Sequence, residues 1–307
     1  MNILVGSTGF VGSNLNNSFP FDGLYNSKNI EEAFGIHPDL LVYAGVSAKK
    51  YMANQFPEQD RNMIDNAINN IKQINPKKLV LISTIDVYNV PYQVDEDTSI
   101  ELVGLPSYGL HRYYLEQWVE ENIEDYSIVR LPGLYGQKIK KNFIYDLIHI
   151  IPSMLKESKF MELKEKNSMI EQYYLAQDNG FYKCKYLSKE EEQRLKNYFI
   201  EIGFSALNFT DSRGSFQFYN LGYLCKHITI ALENHMQKIN LATEPVRIEE
   251  LFEYINGKAF LNEVAKVIPK YDVRTKYATN FDGKKGYVFD KEFILQDIKN
   301  FVGGMGV

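Results

Sequence analysis

The sequence predicts an α/β fold, a doubly wound parallel sheet with a smaller, partly interleaved second lobe. Three observations predict it. Short apolar runs alternate with segments of helical period over the first ~135 residues. The first of these runs ends in three glycines spaced three residues apart. After Gly136 the alternation gives way to longer segments of mixed charge.

The elements follow in order. Asn2-Ile3-Leu4-Val5 reads as a buried strand, and Gly6-Ser7-Thr8-Gly9-Phe10-Val11-Gly12 turns from it into a helix. Each glycine has a physical task. Gly6 makes the tight turn, Gly9 lets backbone approach a ligand, and Gly12 lets helix and strand pack closely. The helix start then offers unpaired N–H groups and a positive dipole end to an anion. This is a layout for holding a dinucleotide pyrophosphate. The spacing is G-x-x-G-x-x-G, so the flanking strand and helix give the motif its weight. A second short strand covers Gly23 to Asn26, and a short helix Asn29 to Phe34. Asp39 to Ala44 is a buried strand. Asp60 to Gln73 has helical spacing, with Met63, Ile64, Ala67, Ile68 and Ile71 on one side. Lys78 to Thr84 is a strand, Tyr108-Gly109-Leu110-His111-Arg112 opens a helix that runs to Asn122, and Tyr126 to Pro132 is a strand broken by proline. With right-handed crossovers these make a parallel sheet covered on both faces.

Beyond Gly136, helices are expected over 142–155, 221–236, 247–254 and 290–301, with a strand at 239–242. Another opens at Ser188, a natural N-cap, and runs to about Ile202. The stretch 156–178 has no clear period. Residues 1–140 are therefore expected to form the dinucleotide-binding domain, with segments near 215–245 returning to it, and 141–307 mainly the second lobe. The 307 residues are 45% hydrophobic and 24% charged, enough for a large core. A net charge of −5 carries no basic footprint for nucleic acid. No apolar run approaches the ~18 residues of a membrane span. The opening strand leaves no room for a signal segment, so a cytoplasmic protein is expected. Cys184 and Cys225 have no metal-ligand spacing and are expected as buried free thiols. Five scattered histidines offer no ligand pair, and no metal is expected.

Four pieces map to the carboxyl ends of the strands, where ligands bind in such sheets. They are Gly6 to Gly12, the run Ser83-Thr84-Ile85-Asp86-Val87-Tyr88, the helix start at Tyr108, and Arg130-Leu131-Pro132-Gly133-Leu134-Tyr135-Gly136. In this order they resemble the extended short-chain dehydrogenase/reductase superfamily, the nucleotide-sugar epimerases, dehydratases and reductases. The dTDP-4-dehydrorhamnose reductases are similar in the short, acid-poor second strand and the run at Ser83. The resemblance covers residues 1–136 well and continues faintly at Asn240 to Leu251. It implies a Rossmann domain that binds NAD or NADP and a second lobe that binds a nucleotide-linked sugar.

The resemblance also implies residue roles. Tyr108 stands at the catalytic tyrosine, which moves a proton while hydride moves to or from nicotinamide. A phenol is a poor base near neutrality and needs a cation beside it. Where the family has a lysine four residues later, this chain has Arg112. Arginine keeps a fixed charge and can bond a ribose diol, yet it does not relay a proton. Thr84 matches the hydroxyl that bonds the reacting oxygen. Asp86 and His111 are candidates for a second acid or base on the substrate, against the plainer reading of a solvated acid and a surface-facing histidine. Gly6, Thr8, Gly9, Phe10, Val11 and Gly12 would hold the pyrophosphate. Ala44, Gly45 and Val46 would lie beside the nicotinamide ribose with Ser83, Tyr108 and Arg112, and Leu131, Pro132 and Leu134 beside the carboxamide. Asn62 fits the family's helix asparagine. Asn26, Ser27 and Lys28 end the second strand with no acid and one lysine, which leans toward NADP over NAD.

Arg213 is the candidate for the substrate diphosphate, against the nearly equal reading of a structural salt bridge. The aromatics between Gln172 and Tyr182 suit either core packing or stacking on a base or sugar. Dehydration is disfavoured, because Asp86 lacks an acidic neighbour, while epimerase and reductase stay open. The departure at Arg112 keeps a second reading alive, a catalytically weak or inactive cofactor-binding regulator of the same fold. The helices at 60–74 and 109–122 are placed as in family homodimers.

Overall fold

A computed structural model describes residues 1–178 and 180–305. The chain divides into two compact units. The first joins 1–139, 215–247 and 269–297, and the second joins 140–214, 248–268 and the residues from 298 onward.

The first unit is built on six parallel strands. They are β1 (Asn2–Val5), β2 (Gly23–Tyr25), β3 (Leu40–Tyr43), β4 (Leu79–Thr84), β5 (Tyr126–Leu131) and β6 (Lys238–Asn240), in the spatial order β2-β1-β3-β4-β5-β6. Its principal helices are α1 (Phe10–Asn16), α2 (Lys50–Gln55), α3 (Pro57–Ile74), α4 (Ser107–Asn122) and α5 (Leu224–Glu233). Side chains alternate across a strand, so one apolar run feeds two cores. Ile3, Val5, Leu41, Leu79, Leu81 and Ile128 meet Ile64, Ile68 and Ile71 of α3 and Leu115 and Val119 of α4. Leu4, Val42, Val80, Val129 and Ile239 meet Leu15 of α1 and Leu224, Ile228 and Ala231 of α5. Each such side chain, fully buried, contributes about 1.5–3 kcal/mol. Burial on both faces is why these strands read as unbroken apolar runs. The strand order reverses between β1 and β3. The crevice beyond their carboxyl ends is the topological switch point, the place where such sheets take ligands.

Helix ends obey local chemistry. Pro57 opens α3 at a position where no intrahelical N–H is needed, and Asn75 closes it in the left-handed conformation at φ 49°. After β5 the chain leaves the main sheet at Pro132, and Gly133–Tyr135 pairs in parallel with Phe218–Asn220.

The second unit holds a three-stranded antiparallel sheet, Met154–Lys156, Phe181–Cys184 and Tyr174–Ala176, with Phe181–Cys184 in the centre. Helices Phe143–His149, Glu157–Lys166, Lys189–Glu201 and Ile248–Asn256 belong to it. Ser188 caps its helix as expected, in a reciprocal box with Glu191. The helix expected over 142–155 stops at His149. Ile151 precedes Pro152, which disfavours helical backbone, and a strand follows. The stretch without clear period contains the helix Glu157–Lys166. Tyr173 and Tyr174 are buried in this unit's core, and Tyr182 stacks on Phe160 at 3.8 Å between ring centroids. Both cysteines are free, but each is half-buried, which corrects the expectation of buried thiols.

Candidate functional site

The glycine turn sits against the loop after β3. Gly6 has φ +89°, a conformation costly for any side chain, and a Cβ there would lie 2.3 Å from the Ala44 carbonyl oxygen. A Cβ on Gly12 would lie 2.2 Å from the Gly6 oxygen, so α1 rests directly on the turn. A Cβ on Gly9 would meet only the Gly6 oxygen at 3.2 Å. Gly9 is the N-cap of α1 and brings no side-chain acceptor, so the first N–H groups of the helix, at Phe10 and Val11, face outward uncapped. Gly6 and Ser7 instead donate backward to the Tyr25 carbonyl at the end of β2, fixing the turn. A cradle closed to side chains, backed by a helix start, fits a dinucleotide pyrophosphate. Thr8 lies in this turn. Ala44, Gly45 and Val46 follow β3 on its other side, and Asn26, Ser27 and Lys28 follow β2. Asn26 closes an Asx turn on the Lys28 N–H at 3.0 Å, and Ser27 and Lys28 are exposed.

Tyr108 lies in the first turn of α4 and is 7% exposed. Its N–H donates to Asn54 of α2 at 2.9 Å. Thr84, the last residue of β4, lies beside the phenol, and its Oγ1 accepts from the Asp86 N–H at 3.1 Å. Burial pushes the phenol above its ordinary pKa. Arg112 pulls it down and Asp86 pushes it up, while Thr84 and Lys50 also pull it down. The ring carries the Arg112 guanidinium over its face, with Cζ 4.1 Å from the centroid.

Arg112 is itself tied down. It pairs with the Asp60 carboxylate, donates to the Ser47 carbonyl at 2.6 Å and reaches the Tyr108 carbonyl at 3.4 Å. Asp60, in the first turn of α3, is buried and also bonds His111 Nδ1 at 2.8 Å. His111 is therefore buried and paired, which corrects the picture of a surface-facing histidine. Asp86 is partly covered and holds the Lys50 ammonium at 2.7 Å, so it is a paired acid rather than a solvated one. Asn62 is exposed on α3, and the buried polar residue of that turn is Asp60.

Ser83 points to the other side of the strand end. Its hydroxyl donates to Glu116 of α4 at 2.5 Å, and Glu116 takes Arg130 of β5 through three contacts of 2.6–3.1 Å. Arg130 continues to the Tyr88 hydroxyl at 2.8 Å, and Asn240 and Glu96 extend the network. Burial pushes the Tyr88 phenol to about 12. Leu131 ends β5, with Pro132 and Leu134 just beyond it. Arg213 belongs to the second unit. There Asp211 holds it through two contacts of 2.8–2.9 Å and Glu263 at 2.7 Å. The structure thus brings Thr84, Asp86, Tyr108, His111 and Arg112 together within the first unit, while Arg213 belongs to the second. Sequence reasoning missed Asp60 and Lys50. Asp60 reads as an ordinary first-turn acid, and the short helix that begins at Lys50 buries only Ala53.

No protein-family model and no curated protein sequence matches the chain. Solved structures do. The dTDP-4-dehydrorhamnose reductase of Bacillus anthracis, in complex with NADP, superposes with a TM-score of 0.62 at 16% identity, over 99% of this chain and 98% of that one. The UDP-N-acetylglucosamine 4-epimerase of Methanobrevibacter ruminantium M1, in complex with UDP-N-acetylmuramic acid, gives 0.63 at 15% identity over 98% and 96%. The UDP-glucose 4-epimerase of Thermotoga maritima, with UDP-glucose, gives 0.61 at 14% over 99% and 98%. This chain has the fold of the extended short-chain dehydrogenases/reductases. In that fold the glycine cradle and the Tyr108 cluster stand on one edge of the sheet, at the carboxyl ends of β1, β3 and β4. Among the described residues no helix is long and apolar enough to cross a membrane.

Proposed function

We propose that the chain is an NAD(P)-dependent oxidoreductase or epimerase acting on a nucleotide-linked sugar. One observation carries the reading. Tyr108 and Thr84 stand together at the end of a central strand, with the Arg112 guanidinium over the phenol ring, on the sheet edge that bears the glycine cradle. Gly6, Thr8, Gly9, Phe10, Val11 and Gly12 would hold the pyrophosphate, and Ala44 to Val46 the nicotinamide ribose. Bound NAD(P) would give hydride to, or take it from, the sugar carbon. Tyr108 would deliver the proton that turns the carbonyl oxygen into a hydroxyl, or remove it in the reverse direction. Thr84 would orient that oxygen. The raised phenol favours the protonated form near neutrality, ready to donate. Arg112 would act through its fixed charge alone. With Asn26, Ser27 and Lys28 directly after β2 and no acid among them, NADP is the preferred cofactor. The second unit would bind the nucleotide-linked sugar, with Arg213 as its candidate anion contact.

The engagement of Arg112 by Asp60 and Ser47 favours one second reading, a cofactor-binding regulator that has lost turnover. A single experiment separates the two. The purified chain is titrated with NADPH and NADH, then assayed for hydride transfer and for epimerised product across UDP-, dTDP- and GDP-sugars. Tighter binding of NADPH, turnover of at least one sugar, and a loss of about 10²–10⁴ in kcat for Tyr108→Phe with unchanged NADPH affinity are expected. Tight NADPH binding with no turnover anywhere would make it a regulator. No binding of either nucleotide would end both readings.

A further inference from the structure

A buried phenol that gives up a proton needs positive charge at its side, and the charge of Arg112 is shared with Asp60. A guanidinium keeps its proton at every accessible pH, and this one is 5% exposed and locked to Asp60 and Ser47. A different cation approaches Tyr108 from another element. Lys50, the first residue of α2, places Nζ 2.7 Å from Asp86 Oδ1 and 3.5 Å from the Tyr271 hydroxyl. Tyr271 closes the group by donating to the same Asp86 oxygen at 3.3 Å. The Asp86 N–H donates to Thr84 at 3.1 Å, and the Asp86 carbonyl abuts Gly109, next to Tyr108, so closely that a Cβ there would lie 2.0 Å away, while Asn54 of the same helix α2 accepts from the Tyr108 N–H at 2.9 Å. The Lys50 side chain is 45% exposed, so this cluster has the contact with bulk water that Arg112 lacks.

We propose that Lys50, held by Asp86 and Tyr271, is a positioning residue for Tyr108, supplying a second positive charge beside that of Arg112. The inference rests on the functional reading above for its purpose, though the coupling itself exists without cofactor or substrate. The charged groups around the phenol are then Arg112 on its own helix, Asp86 after β4 and Lys50 at the head of α2. Asp60 of α3 and His111 act one contact further out, through Arg112. Their signs order the variants. Lys50 favours phenolate, so its loss raises the phenol's pKa. Asp86 opposes phenolate, so its neutralisation lowers it.

The test reads the phenol directly. Fluorotyrosine placed at position 108 titrates at lower pH than tyrosine, and its ¹⁹F resonance reports ionisation in the free protein. Lys50→Met is expected to raise the midpoint by roughly half a unit to one unit, Lys50→Arg to leave it within about 0.2 units, and Asp86→Asn to lower it. Circular dichroism checks that each variant is folded, which a half-exposed lysine at a helix start permits. A midpoint unmoved by Lys50→Met, or moved equally by Lys50→Arg, overturns the proposal. Because no cofactor or sugar is present, failure here is separate from failure to bind NADPH or turn over a sugar. If turnover is found, the Lys50→Met pH–rate profile in the oxidative direction should shift to higher pH by the same amount, while Lys50→Arg keeps the parental profile.

Discussion

At the residue scale, the costliest groups are the charges taken out of water. Glu116 and Arg130 are almost wholly buried, and each is affordable only because the other is present. Ser83 and Tyr88 satisfy the lone pair and proton that the ion pair leaves over. Removing one partner strands the other in a low-dielectric site, which typically costs 3–5 kcal/mol, about tenfold more than losing an exposed pair. Glu116→Ala is therefore expected to lower stability by about 3–5 kcal/mol in urea unfolding. The double variant Glu116→Leu, Arg130→Met should cost less than that single change, because no charge is left unpaired. A double variant less stable than Glu116→Ala would mean that the ion pair contributes net stability. Asp60 follows the same logic one turn earlier along α4, where Arg112 and His111 converge on it. Arginine at position 112 thus has a structural task in this chain, bracing α3 and the loop at Ser47 against α4. A lysine could not reach both Asp60 and the Ser47 carbonyl with a planar fork.

At the scale of elements, the glycine turn separates folding from binding. Gly12→Ala would drive a methyl group into the Gly6 carbonyl, and neither backbone can yield cheaply. About 1–3 kcal/mol of stability should be lost as α1 is displaced from β1. Gly9→Ala meets only a 3.2 Å contact, so it should fold with a loss below about 1 kcal/mol while filling the space a pyrophosphate needs. Urea midpoints and NADPH titration, read on both variants, are expected to show Gly9→Ala stable and binding-defective and Gly12→Ala defective in both. NADPH affinity unchanged in Gly9→Ala would place the pyrophosphate elsewhere. The same elements show what a sequence displays and what it hides. Strands β1, β3 and β4 are visible because both faces are buried, so their runs are apolar up to the strand ends, and β5 keeps the same pattern around Ser127 and Arg130. The helix Glu157–Lys166 is not, because only Phe160 and Leu163 are buried and the rest is a lysine–glutamate surface, with Lys159 and Lys166 both on Glu162. Helix α2 is hidden for the same reason. The glycines, Thr84 and Tyr108 carry local motifs and can be read directly. Asp60 and Lys50 cannot, because a separation of 52 residues between Asp60 and Arg112 is closed only by sheet topology.

At the scale of the whole molecule, stability against pH sums groups that pull in opposite directions, and two carboxylates of the second unit mark the extremes. Asp211 is held well below the usual carboxylate range, first by its bond from Arg213 and then by the N–H groups of Ala265 and Val264. A depressed carboxylate contributes stability that is full above its unfolded pKa of ~3.9 and is lost as pH falls through the folded value. Asp146, in the first turn of the helix Phe143–His149, is the reverse case, because burial pushes its pKa up to about 7. The folded chain then keeps a proton that the unfolded chain has released. The stability this group contributes is full below pH ~3.9 and is lost as pH rises through about 7. The two slopes act in separate windows, so single substitutions resolve them. Asp146→Asn removes the ionisation while keeping the shape. Relative to the parent it should gain about 2–4 kcal/mol between pH 4 and pH 8 and nothing further in stronger acid. Asp211→Asn should instead lose stability relative to the parent near neutrality and converge with it as the pH drops below ~3. Urea midpoints from about pH 1.5 to 8 at fixed ionic strength, with the denaturant slope checked for constancy, measure both differences. If Asp146→Asn and the parent run parallel across pH 4 to 8, Asp146 titrates as an ordinary carboxylate and is already charged in the folded chain.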